Sequence, residues 1–72
     1  MKKLGSFVKE KRLDLGLSQN EFANRVGVSY VTINNIENSH KCGLISLRKL
    51  SQALNVETKE LRSMMVKHEN NE

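Results

Sequence analysis

The sequence predicts an all-α chain of five short helices, and three observations carry that reading. Ser18 and Ser29 each stand one residue ahead of a segment whose apolar residues fall at helical spacing, so each offers a side-chain oxygen to the unpaired amides of a helix start. Gly16 and Gly27 stand where the preceding segments must stop, and glycine accepts the left-handed backbone that closes a helix. Proline is absent, and one Tyr with two Phe are the only aromatics, as suits a small helical bundle.

The first helix is expected from about Lys2 to Leu15, with Leu4, Phe7, Val8 and Leu15 on one buried face and Leu13 left exposed. The second begins after Ser18. Phe22, Ala23 and Val26 make its apolar stripe, and Glu21 stands three residues after Ser18 in a capping-box pattern. Gly27, Val28 and Ser29 then turn the chain into the third helix, over about 29–37. Two helices joined by a turn of three or four residues containing Gly are a helix-turn-helix unit, here over residues 18–37. Residues 38–43 are polar and irregular. A fourth helix over about 44–54 is expected to bury Leu44, Leu47, Leu50 and Leu54, and a fifth over about 57–65 to turn Leu61 and Met64 or Met65 inward. Residues 1–67 thus read as one domain followed by a polar tail over 68–72.

The third helix has two unlike faces. At roughly 100° per residue, Ile33, Ile36 and Glu37 share one side, while Val31, Asn35 and Asn38 point away, flanked by Thr32 and Asn34. Asn carries a donor and an acceptor, which suits a bidentate pair with the N6 and N7 edge of adenine, and Val31 and the Thr32 methyl suit a thymine methyl. Taken alone, Asn34, Asn35 and Asn38 fit a solvated face better, since Asn is common near helix ends.

The register Leu4-Gly5, Arg12, Gly16-Leu17-Ser18-Gln19, Phe22-Ala23, Gly27-Val28-Ser29, Ile33, Ile36-Glu37, Leu47, Leu50 and Ala53-Leu54 resembles the lambda-repressor and Cro type of helix-turn-helix regulators, the xenobiotic-response-element-like group. The resemblance implies a five-helix lambda-repressor-like domain that binds double-stranded DNA and regulates transcription. It implies base contacts from Tyr30, Val31, Thr32, Asn34 and Asn35, with Tyr30, Val31 and Asn35 foremost and Tyr30 alternatively lying across the sugar-phosphate backbone. Gln19 matches a position that in the family touches a phosphate and braces the start of the recognition helix. Ser29, Asn38, His40 and Lys41 are the further candidates for backbone phosphates. Arg12 and Glu37 match a partly buried structural ion pair, since a charged residue beside Ile36 would be costly to bury alone.

The chain departs from the family where a Gly usually follows the Glu-x pair and a Pro comes a few residues later; Ser39 and Cys42 stand there. Asn38 is then expected to take the left-handed backbone and Gly43 to free the chain before the fourth helix. Lys11 and Ser51 replace residues that are frequently apolar and Ala, and are expected to loosen the core slightly.

Composition bounds the function. Twelve Lys and Arg against eight Asp and Glu give a formal net charge of +4 over 72 residues, which favours a polyanionic partner. A core this small gains from a second copy, and Leu61, Met64, Met65 and Val66 are the expected homodimer surface. A single cysteine with His40 and His68 does not complete a zinc site, and nothing in the sequence marks Cys42 as an activated thiol, so no redox role is expected. No nucleophilic triad, phosphate-cradling loop or carboxylate pair is recognisable, so neither catalysis nor a cofactor, metal or small-molecule ligand is expected. No apolar run approaches the ~20 residues needed to span a bilayer, and the lysine-led start is no secretory signal, so no membrane association and a cytoplasmic location are expected. The alternative to a DNA-bound regulator is a protein-binding module, an antitoxin or anti-repressor, whose masking face should be more apolar.

Overall fold

The computed structural model describes residues 2–65, and they form five helices: α1 Leu4–Asp14, α2 Gln19–Val26, α3 Tyr30–Ser39, α4 Leu44–Leu54 and α5 Thr58–Ser63. α3 packs against both α1 and α2, and α4 packs against α2 and α5. One core results: Leu4 and Val8 from α1, Phe22, Ala23 and Val26 from α2, Ile33 and Ile36 from α3, Leu47 and Leu50 from α4, and Leu61 from α5. These are the residues at 3- and 4-residue spacing on each helix, so the buried stripe follows from the helical period.

Two expected core residues lie elsewhere, Leu15 at 48% and Leu44 at 49% exposed, while Phe7 and Leu54 are half-buried against the core. α1 ends at Asp14, so Leu15 belongs to the turn that Gly16, at φ 70°, bends away from the core. Leu44 is the first residue of α4, and side chains lean toward the helix amino end, so it projects past the packed turn.

The start of α1 has no local cap. Lys3 occupies the N-cap position without a side-chain hydrogen bond, and the first turn carries no acidic residue. Its unpaired amides find distant acceptors instead: Leu4 N–H donates to the Met64 carbonyl at 2.8 Å, and Gly5 N–H donates to His40 Nδ1 at 3.1 Å. Both ends of the described chain are thereby tied together. Gly5 is required where it stands, because a Cβ there would lie 2.5 Å from His40 Nδ1 and 2.6 Å from the carbonyls of Ile36 and Glu37.

The loop after α3 turns differently from expectation. His40, not Asn38, takes the left-handed backbone at φ 65°, and its N–H donates to the Ile36 carbonyl at 2.9 Å. Asn38 remains helical, and Gly43 is extended at φ −74° as the N-cap of α4. His40 tolerates the left-handed region better than most residues, and its ring bond to α1 holds it there. Lys11 sets its ammonium 5.4 Å from the Phe7 ring centroid, and the Ser51 hydroxyl donates to the Val56 carbonyl at 2.5 Å. Both polar side chains thus make local contacts beside the core.

Candidate nucleic-acid interface

The α2–α3 unit is fixed by chemistry at its three corners. Ser18 Oγ accepts the Glu21 N–H at 3.1 Å while Glu21 Oε1 accepts the Ser18 N–H at 2.8 Å, a complete capping box. Gly27, at φ 90°, ends α2, and the N–H groups of Gly27 and Val28 both donate to the Ala23 carbonyl, at 2.8 and 3.0 Å. Lys49 reaches across from α4 to donate to the Gly27 carbonyl at 2.9 Å, placing a cation at the negative end of α2. Ser29 Oγ accepts the Thr32 N–H at 3.1 Å and lies 2.9 Å from Thr32 Oγ1.

These corners leave one side of α3 outward. Val31 is 60% exposed and Tyr30 46% exposed, Asn35 and Asn38 are exposed, and Thr32 and Asn34 are half-buried on the flanks. The face is uncharged, with donors, acceptors and apolar groups interleaved, and Lys41 lies exposed in the loop beyond it. Thr32 sets its hydroxyl against the Ser29 cap, and its methyl is a further group on this flank.

Behind this face lies a buried polar cluster. Arg12 Nε donates to Glu37 Oε2 at 2.7 Å and Arg12 Nη2 to Glu37 Oε1 at 3.2 Å, with side chains only 11% and 5% exposed. Arg12 Nη1 also donates to the Leu17 carbonyl at 3.0 Å, which links α1, the turn before α2 and the end of α3. The bond to Glu37 holds the Arg12 guanidinium above the usual arginine range, against burial, which acts the other way.

Gln19 completes the cluster, and its position corrects an expectation. Its Nε2 donates to Glu37 Oε1 at 3.0 Å, so it braces α3 near its carboxyl end and not at its start. A hydrogen bond to a carboxylate is stronger than one between neutral groups.

The remaining candidates divide. His40 commits Nδ1 to Gly5, so only Nε2 remains to reach a phosphate. The absence of a cap at Lys3 was the sequence signal that α1 needed a distant acceptor, but nothing in the spacing pointed to His40. Leu61 is 0% exposed and belongs to the monomer core, so it is withdrawn from the expected dimer surface. Met64 and Met65 are half-buried against that core, and Val66 and the 68–72 tail lie outside the described residues. Burial raises the Cys42 thiol above its ordinary value, which disfavours the reactive thiolate. Among the described residues no cluster of His, Cys, Asp and Glu could hold a metal ion, and no helix is long and apolar enough to cross a membrane.

A family model described as helix-turn-helix matches residues 8–61, from the middle of α1 into α5. The chain belongs to the helix-turn-helix family. It is a DNA-binding regulator of the lambda-repressor type, with that type's all-α architecture. No curated protein matches the chain. Within the helix-turn-helix unit, α3 is the second helix, and its outward face is uncharged.

Proposed function

We propose that this helix-turn-helix protein is a sequence-specific transcriptional regulator that binds a palindromic operator as a homodimer, with α3 in the major groove. The observation that carries the reading is the outward face of α3, where Tyr30, Val31 and Asn35 stand exposed while Ile33, Ile36 and Glu37 fix the helix from behind. Asn35 pairs with an adenine edge, Asn34 flanks it, and Val31 with the Thr32 methyl meets thymine methyls. Gln19, Ser29, Asn38 and Lys41 set the register on backbone phosphates, with the Nε2 side of His40 beside them. A two-fold pair would place two such helices about one turn of DNA apart. Met64 and Met65 are the described residues offered to that pairing.

The test is selection of bound duplexes from a random library, followed by titration of the selected and a scrambled duplex at two salt concentrations. A palindromic consensus, with Asn35→Ala relaxing one base position in each half, supports the reading. Equal weak binding to all duplexes that disappears with salt leaves only phosphate attraction. Absence of binding turns the assignment to the protein-masking alternative.

A further inference from the structure

We infer that Glu37 is a positioning residue for DNA binding: through its bond to Nε2 it orients the Gln19 amide so that the second N–H of that amide meets a backbone phosphate. The inference rests on the DNA-binding reading above and adds a residue that faces away from the DNA.

The orientation follows from donor and acceptor chemistry. An ionised carboxylate only accepts hydrogen bonds. Glu37 Oε1 must therefore face the amino side of Gln19, and the 3.0 Å contact is from Nε2. That amide nitrogen has two hydrogens, of which one is taken. A phosphate also only accepts, so the useful group is the second N–H, and a Gln19 free to rotate would present its carbonyl oxygen as often as its nitrogen. The half-buried Gln19 sits on the first residue of α2, directly after the Ser18 cap, where free helix amides already favour an anion.

Charge would work against this arrangement if Glu37 stood alone, because a carboxylate behind the contact repels a phosphate. Arg12 removes that objection by binding both oxygens of Glu37, at 2.7 and 3.2 Å. The ion pair is net neutral, almost closed to solvent, and anchored at its far side by the Leu17 carbonyl. Arg12 and Glu37 thus do more than join α1 to α3: they supply a fixed acceptor that costs the DNA surface no negative charge.

The experiment removes the acceptor without stranding a charge. Arg12→Met combined with Glu37→Leu replaces the pair by apolar groups of similar length, an exchange that buried ion pairs commonly tolerate. Gln19→Ala is made in this background and in the unmodified chain, and all four proteins are titrated with the selected and the scrambled duplex. Gln19→Ala alone is expected to weaken both duplexes by about tenfold, the scale of one hydrogen bond to a charged group. The Met/Leu pair should lose a similar factor, and adding Gln19→Ala to it should lose nothing more. Losses that multiply, or an unaltered affinity in the Met/Leu pair, overturn the inference while leaving the DNA reading intact. Failure of the unmodified chain to bind any duplex overturns both.

Should the Met/Leu pair not fold, the side-chain amide of Gln19 in the unmodified chain decides the matter by nuclear magnetic resonance, with Gln19→Ala assigning its signals. Two separated, slowly exchanging amide protons are expected in the free protein, and duplex should shift the proton not bound to Glu37. A pair of signals at unstructured positions, exchanging freely, overturns the inference.

Discussion

Replacing Arg12 by Ala should cost this domain a large part of its stability. The substitution removes both donors that hold Glu37 from α1, at 2.7 and 3.2 Å, and the donor on the Leu17 carbonyl at 3.0 Å. Glu37, with a side chain 5% exposed, keeps only the amide of Gln19. Removing one member of a buried pair typically costs about 3–5 kcal/mol, mainly through the charge left behind. A chain of this length is stable by roughly 4–11 kcal/mol, so the loss is about a quarter of the total at the least. Lys11→Ala is the control, since it deletes an adjacent cation whose one described contact is the Phe7 ring, a loss of about 0.5–1 kcal/mol. Urea denaturation followed by helical circular dichroism measures both, and the difference between midpoints is the quantity of interest. The comparison holds through the neutral and mildly alkaline range. A guanidinium held above its usual range keeps its stabilisation fully below the ordinary arginine value and loses it only as pH rises through the higher folded value. Equal midpoints for Arg12→Ala and Lys11→Ala would refute the reasoning.

Gly5→Ala inverts the usual helix rule: alanine normally stabilises a helix by up to about 1 kcal/mol over glycine, but here its Cβ would meet two backbone carbonyls at 2.6 Å. A loss of about 1–3 kcal/mol is expected from such overpacking, and a raised melting temperature would show that α1 and α3 are not in the close contact described. The Cys42 thiol, raised by burial, should react with iodoacetamide more slowly in the native protein than in urea at pH 8, and equal rates would contradict its burial. The sign for stability follows: the contribution is complete below the ordinary thiol value and is lost as pH rises through the folded one. Met65→Glu should shift the protein toward monomer in sedimentation, and an unchanged dimer would move the interface away from the end of α5.

The parts of the fold legible in the sequence are those set by residues three or four apart. Ser18 with Glu21, Ser29 with Thr32, and Gly27 after Val26 act on amides and carbonyls within one turn, so the α2–α3 unit could be placed from spacing alone. The same locality explains the misplaced residues. Leu15 and Leu44 continue the apolar period of their helices, yet the period does not say where the core stops, and each lies one step beyond it. The left-handed turn fell on His40 because Nδ1 is held by Gly5, 35 positions away in sequence. Likewise the partner of Gln19 lies 18 positions on, and the acceptor for Leu4 is supplied by Met64 at the opposite end of the described chain. Such pairings exist only once the helices have packed. The Arg12–Glu37 pair was visible only through family resemblance, since its 25-residue separation carries no local signal.

The division of α3 into a held side and an outward side has a consequence for how operator preference can change. Ile33 and Ile36 are 0% and 1% exposed, and Glu37 is fixed by Arg12 and Gln19, so every described interaction that holds the helix in place acts from behind or from its serine cap. Tyr30, Val31 and Asn35 stand on the other side and are exposed. Exposed substitutions away from caps and buried groups usually change stability by no more than about 0.5 kcal/mol. Val31→Ser and Asn35→Gln should therefore leave the urea midpoint close to that of the unmodified chain while altering which duplexes are selected. Reading and folding are then separable on one short helix, and the separation is open to direct measurement. A midpoint that falls with Val31→Ser or Asn35→Gln as far as with Arg12→Ala would mean that the outward face also carries the fold, and base preference could not drift without endangering it.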